Sequence, residues 1–130
     1  MITREADYAI RTVLHLARHF GQKPVTTTEI SKKTDVPYRF LRKISHQLVE
    51  AGIVGAVRGK QGGIFLITSP EILSLLDILK IFDSRAISVN ICCCETGNCS
   101  HAPDCTVQKR LLKLQQNMQA EFASIKFSEL

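Results

Sequence analysis

Thr26-Thr27-Thr28-Glu29-Ile30-Ser31-Lys32-Lys33-Thr34-Asp35-Val36-Pro37-Tyr38-Arg39-Phe40-Leu41-Arg42-Lys43 is the stretch that decides the fold. Thr26 is suited to cap a helix, Glu29 stands three residues on to close a capping box, and Val25 can staple onto Ile30. That helix runs to about Lys33, where Thr34-Asp35-Val36-Pro37 makes a tight turn. Pro37, whose missing N–H is no loss in a first helical turn, opens a further helix with apolar Phe40, Leu41, Ile44, Leu48 and Val49 running up to Gly52. Two helices across a short turn define a helix-turn-helix.

Upstream, Ala6, Ala9, Ile10, Val13, Leu14, Leu16 and Ala17 recur near the helical period and predict a long helix over residues 3–20, with Thr3 as its cap and Gly21 as its stop. Downstream, the β-suited runs 53–57 and 64–68 flank Arg58-Gly59-Lys60-Gln61-Gly62-Gly63, which reads as a hairpin with a basic tip. Helical periodicity resumes over 73–82, capped by Ser74 with Asp77 three residues on, and 83–88 reads as a linker. A cysteine segment, 92–105, follows. Leu111, Leu114, Met118, Phe122 and Ile125 then form an apolar stripe on a last helix that is otherwise Lys, Gln and Asn, and such a stripe needs a partner. The expected fold class is mainly α with a small β-hairpin: a winged helix-turn-helix domain over 1–83, a cysteine-rich loop over 84–106 and a long C-terminal helix over 107–130.

At 130 residues, 45% hydrophobic and 22% charged, the chain has room for one compact domain plus an appended element, which excludes a large two-domain enzyme. Its net charge of +5 is unevenly spread: residues 1–62 hold 11 Lys and Arg against 5 Asp and Glu, residues 63–130 hold 6 against 7. The basic residues fall where a winged helix meets double-stranded DNA. Tyr38, Arg39, Arg42 and Lys43 lie at the N-terminal end of the third helix, the end that reaches base edges, and His46 lies one turn further on. Arg58, Lys60 and Gln61 decorate the wing, whose tip meets phosphates or the minor groove. No Ser/His/Asp or phosphate-loop constellation presents itself, so catalysis is not expected. The apolar runs are short and the first turn is acidic, so neither a membrane span nor a secretory signal is expected, and the location expected is cytoplasmic.

In a reducing compartment the five cysteines are not a disulfide framework, and an odd number crowded into one segment points to metal. Cys93, Cys99 and Cys105 have five residues between each pair, a loop length that can wrap three thiolates around one inorganic core, as iron-sulfur clusters require. The paired Cys-x-x-Cys ligands of a zinc ribbon are absent. On an extended backbone Cys92 and Cys94 would face away from Cys93; Cys94, with four intervening residues, is the alternative first ligand, and either neighbour is a candidate spare or resolving thiol.

Ala6-Asp7-Tyr8-Ala9-Ile10-Arg11, Val36-Pro37-Tyr38-Arg39-Phe40-Leu41, Leu48-Val49-Glu50-Ala51-Gly52-Ile53-Val54, the wing Arg58-Gly59-Lys60-Gln61-Gly62-Gly63-Ile64-Phe65-Leu66 and the triple-cysteine loop, taken in order, resemble the IscR/NsrR/RirA-type winged-helix regulators of the Rrf-two superfamily. The resemblance covers the whole chain. It implies a homodimer that crosses its C-terminal helices, a near-palindromic DNA operator, and a 2Fe-2S or 4Fe-4S cluster on three cysteines of each subunit. In IscR-like members a His three residues after the last cysteine completes the site, but that position here is Gln108. NsrR-like members instead have an Asp on the first helix, here Asp7, supplied by the other subunit. His101 is a further donor by type.

The function expected is therefore an iron-sulfur-dependent transcription regulator, a repressor by preference. Two rivals stand beside it: a DNA-binding protein whose cysteines are a metal-free thiol-disulfide switch, and a small iron-sulfur carrier, which would not need Arg39, Arg42, Arg58 and Lys60 on two DNA-facing elements.

Overall fold

The computed structural model describes residues 1–94, 97 and 99–130. Thr3 Oγ1 accepts the Ala6 N–H at 3.3 Å and starts α1 (Arg4–Arg18). Thr26 Oγ1 accepts the Glu29 N–H at 3.2 Å and starts α2 (Thr27–Thr34). Asp35 turns the chain in the left-handed region (φ 57°), a conformation Asp tolerates better than most residues, and Val36 is buried beneath the turn. Pro37 then stands as the cap of α3 (Tyr38–Glu50) and not as its first residue, because its ψ of 136° is extended; its carbonyl accepts the Phe40 and Leu41 N–H groups at 3.0 and 3.1 Å.

The wing follows directly. Strands β1 (Val54–Val57) and β2 (Gly63–Leu66) pair antiparallel, Val54 opposite Leu66 and Val57 opposite Gly63. They are shorter than the β-suited runs because Ile67 and Thr68 leave the ladder and donate to the Ile53 carbonyl at 2.8 and 3.3 Å. On its other edge Ile64 exchanges two hydrogen bonds with Val25, at 2.8 and 2.9 Å, so the segment entering α2 is clasped to the wing.

One core runs through these elements: Ala9, Val13 and Leu16 of α1, Ile30, Val36, then Leu41, Ile44 and Leu48 of α3, with Val54, Ile64, Leu66 and Ile78. The expected capping box forms at α4 (Leu75–Phe82), where Asp77 Oδ2 accepts the Ser74 N–H at 2.8 Å and Ser74 Oγ accepts the Asp77 N–H at 3.3 Å. Asp83, expected to open a linker, is instead buried and ties two segments: its carboxylate accepts the Thr3 N–H at 2.7 Å and the Ala86 N–H at 3.1 Å.

Helix α5 spans Thr106–Ser124, so Ile125 of the apolar stripe lies past its end. The chain then returns to the domain it left. Phe127 N–H donates to the Leu73 carbonyl at 3.0 Å, Lys126 bridges to Ser74, and Phe127 enters the main core within a short 3-10 turn, Phe127–Glu129. No residue of α5 is buried in the single chain. Phe122 and Ala123 pack on Ala6, Leu76, Leu79 and Ile87, whereas Leu114 is 55% exposed.

Candidate functional site

Helix α3 has two faces. Leu41, Ile44, Ser45 and Leu48 point inward and are buried, which leaves Tyr38, Arg39, Arg42, Lys43 and His46 on the exposed side. The Arg39 guanidinium lies 4.9 Å from the centre of the Phe40 ring. Lys43 Nζ is 3.0 Å from a carboxylate oxygen of Glu5 on α1, and His46 Nδ1 is 3.6 Å from Glu50. Arg42 is exposed and in no ion pair among the described residues, so its guanidinium is the least committed charge of the group.

The wing tip presents Arg58, Lys60 and Gln61, all exposed. Its turn depends on two glycines. Gly59 has a φ of 111°, open to glycine alone, and a Cβ on Gly62 would collide with the Val57 carbonyl oxygen. Replacing Arg58 or Lys60 by alanine should weaken binding to all DNA sequences alike and reduce the slope of log affinity against log salt by about one unit per lost phosphate contact. Binding isotherms at several salt concentrations measure this.

The cysteine segment is held by α5. Gln108 Nε2 donates to the Cys92 carbonyl at 2.7 Å, Gln115 Nε2 to the Cys93 carbonyl at 3.1 Å and Gln119 Nε2 to the Ile87 carbonyl at 3.0 Å. Gln115 Oε1 also accepts the Val89 N–H at 3.0 Å. These glutamines are spaced seven and four apart and so share one face of the helix. That spacing was visible in the sequence, and it is the signal that marks them as the loop's clamp. Gln108, at the position where IscR-like members are expected to have a His, is a member of this clamp.

Residues Ile91–Cys93 form a 3-10 turn and not an extended run. Cys92 therefore does not face away from Cys93: their sulfurs are 3.9 Å apart. Burial pushes the Cys93 thiol above its ordinary pKa, and the neighbouring Cys92 and Cys94 push it the same way. The Cys94 sulfur is turned to Ser88 Oγ at 3.0 Å. Cys105 caps α5, its sulfur accepting the Gln108 N–H at 3.3 Å, where the free N–H groups of a first turn complement negative charge. Cys99 is half-buried and His101 is exposed. Among the described residues no three cysteine sulfurs come together as the ligands of a single ion do.

Cys93 and Cys94 line a groove of about 700 Å³ together with Lys80, Arg85, Ser88, Gln115 and Gln119. Of Cys93, Cys99 and Cys105 only Cys93 lines this groove; the chemistry of the donor set, soft thiols on an anchored loop, suits an iron-sulfur cluster better than a hard cation. The Asp7 side chain is 45% exposed and paired with Arg11 at 2.7 Å, one turn along α1, because the core face of that helix is taken by Ala6, Ala9 and Val13.

A helix-turn-helix whose second helix turns a basic face outward, followed at once by a two-stranded wing with a basic tip, is a winged-helix DNA-binding regulator. Residues 2–130 match the Rrf2 family, described as iron-dependent transcriptional regulators, and the chain belongs to that family. An rrf2-like HTH-type transcriptional regulator of Rhodobacter capsulatus is 34% identical over 86 residues, 64% of this chain and 57% of its own length. The regulator NsrR of Shouchella clausii is 26% identical over 107 residues, 82% of this chain and 72% of its own. Two solved structures share the fold: T. potens IscR, with a TM-score of 0.76 at 23% identity over 98% of this chain and 83% of that one, and CymR, the global cysteine regulator of B. subtilis, with a TM-score of 0.78 at 19% identity over 98% and 93%. Among the described residues no helix is long and apolar enough to cross a membrane.

Proposed function

We propose that this Rrf2-family regulator is a homodimeric repressor whose hold on a near-palindromic operator is set by an iron-sulfur cluster, 2Fe-2S or 4Fe-4S, on Cys93, Cys99 and Cys105. The observation that carries the proposal is the clamp: Gln108 and Gln115 fix the carbonyls of Cys92 and Cys93, so the loop presents thiols from a defined backbone. When bound, such a cluster supplies iron that reacts with oxidants and small ligands. The chain's own residues do the rest. The thiols bind, Lys80 and Arg85 offset their charge, and α5 connects the loop to the subunit interface through the apolar side chains that the single chain leaves uncovered. Asp7 of a second subunit is the proposed fourth ligand. Its exposure makes the carboxylate available across a dimer at the loss of the Arg11 pair, a surface pair worth at most about 1 kcal/mol.

The 3.9 Å approach of the Cys92 and Cys93 sulfurs favours one second reading, the metal-free thiol switch. Anaerobic purification with iron and sulfide counts separates them. The expected protein is coloured and holds both elements; Cys93→Ser, Cys99→Ser and Cys105→Ser each lose most of the iron, whereas Cys92→Ser and Cys94→Ser keep it. A colourless, iron-free protein whose DNA affinity follows its thiol oxidation state would establish the switch instead. Loaded protein that binds no promoter DNA would make it a carrier.

A further inference from the structure

His15 and His19 lie four residues apart on α1 and its C-terminal edge, hence on one face of that helix turn. Facing them is Glu29, the third residue of α2. One nitrogen of each imidazole and one carboxylate oxygen of Glu29 all lie within 4.8 Å of one another, and the ring centres are 4.5 Å apart.

The hydrogen bonding around this group suits ligation. His19 Nδ1 is 2.8 Å from the His15 carbonyl oxygen. A carbonyl only accepts, so Nδ1 carries the proton and Nε2 keeps its lone pair. Metal-binding imidazoles use the same division, one N–H to a backbone carbonyl and the other nitrogen to the ion. His15 Nε2 is closed off from solvent and has no hydrogen-bond partner, a deficit that buried polar atoms rarely tolerate. Burial, with the nearby His19, lowers the pKa of His15; Arg18 and Lys33 act in the same sense and Glu29 opposes them. Glu29 was expected to complete a capping box, but the carboxylate stands with the histidines while its backbone N–H alone serves Thr26.

We propose that His15, His19 and Glu29 form a binding site for a divalent transition-metal ion of the zinc type, tying α1 to the first helix of the helix-turn-helix. Two imidazoles and one carboxylate are the three-ligand set that such ions accept, with a fourth position for water or an incoming ligand. Magnesium and calcium, which take oxygen ligands, do not fit the two nitrogens. Bond lengths of about 2.0–2.2 Å draw the three ligand atoms closer together, and the exposed Glu29 side chain can rotate to supply the change.

Zinc titrated by calorimetry into the full chain and its variants tests the site. In His19→Gln and in Glu29→Gln one equivalent should disappear or weaken at least about tenfold, and the zinc-dependent rise in melting temperature should be lost with it. Gln22→Ala, an exposed side chain between α1 and α2, should retain both. Glu29→Gln preserves the backbone N–H that Thr26 caps and so keeps the fold. Zinc stoichiometry and affinity unchanged from wild type in both His19→Gln and Glu29→Gln would overturn the proposal.

Discussion

Leu41→Ala is expected to lower the unfolding free energy by about 2–5 kcal/mol, the usual range for emptying a fully buried leucine site. Leu41 is 0% exposed and sits on the inner face of α3, in the cluster that joins Val13 and Leu16 of α1 to Ile30 and Ile44. Helices α2 and α3 contribute to the same cluster, so the neighbours cannot collapse into the gap without moving the helix-turn-helix itself. Urea titration should show the midpoint falling with the slope unchanged. A loss within about 0.5 kcal/mol, the size of an ordinary surface effect, would mean that the site relaxes around the cavity.

The next residue in the chain should behave in the opposite way. Arg42 is exposed and in no ion pair among the described residues, so Arg42→Ala should leave stability within about 0.5 kcal/mol of wild type. On the proposed interface it reads a base edge, and its loss should cost about 1–3 kcal/mol of discrimination, roughly 5- to 150-fold between operator and scrambled DNA. Competition binding with the two DNAs measures the ratio directly. If Arg42→Ala weakens both equally and flattens the salt dependence, the side chain contacts phosphate and sequence is read elsewhere on α3.

Local signals were legible in the chain and distant ones were not. Thr3, Thr26 and Ser74 were readable as caps because each acts on an N–H only three residues ahead, and all three do so. Most of the inward faces of α1 and α3 followed from periodicity, but Val49 of the apolar pattern is exposed, and Thr12 and Ser45, polar and so outside the pattern, are buried. Phe127 did not: nothing near it marks that the chain turns back after Ser124 to fill a place in the first domain's core. Asp83 escaped for the same reason, since its partner Thr3 is 80 residues away. Cys92 was placed wrongly relative to Cys93 because an extended backbone was assumed where three residues form a 3-10 turn. The group of His15, His19 and Glu29 shows both limits. The histidine spacing was present in the sequence, but only the packing of α2 against α1 brings the carboxylate to it.

The clasp between Val25 and Ile64 ties the segment that enters α2 to the wing, so on the proposed interface α3 and the wing tip would act as two feet of one rigid bivalent ligand. With α3 landed in a groove on that proposed interface, the wing tip would already be at high effective concentration over its own stretch of DNA, and the second contact would form without a further search. Loosening the clasp would remove no group that touches DNA. It would still weaken binding, by spreading the wing over positions from which the phosphates are out of reach.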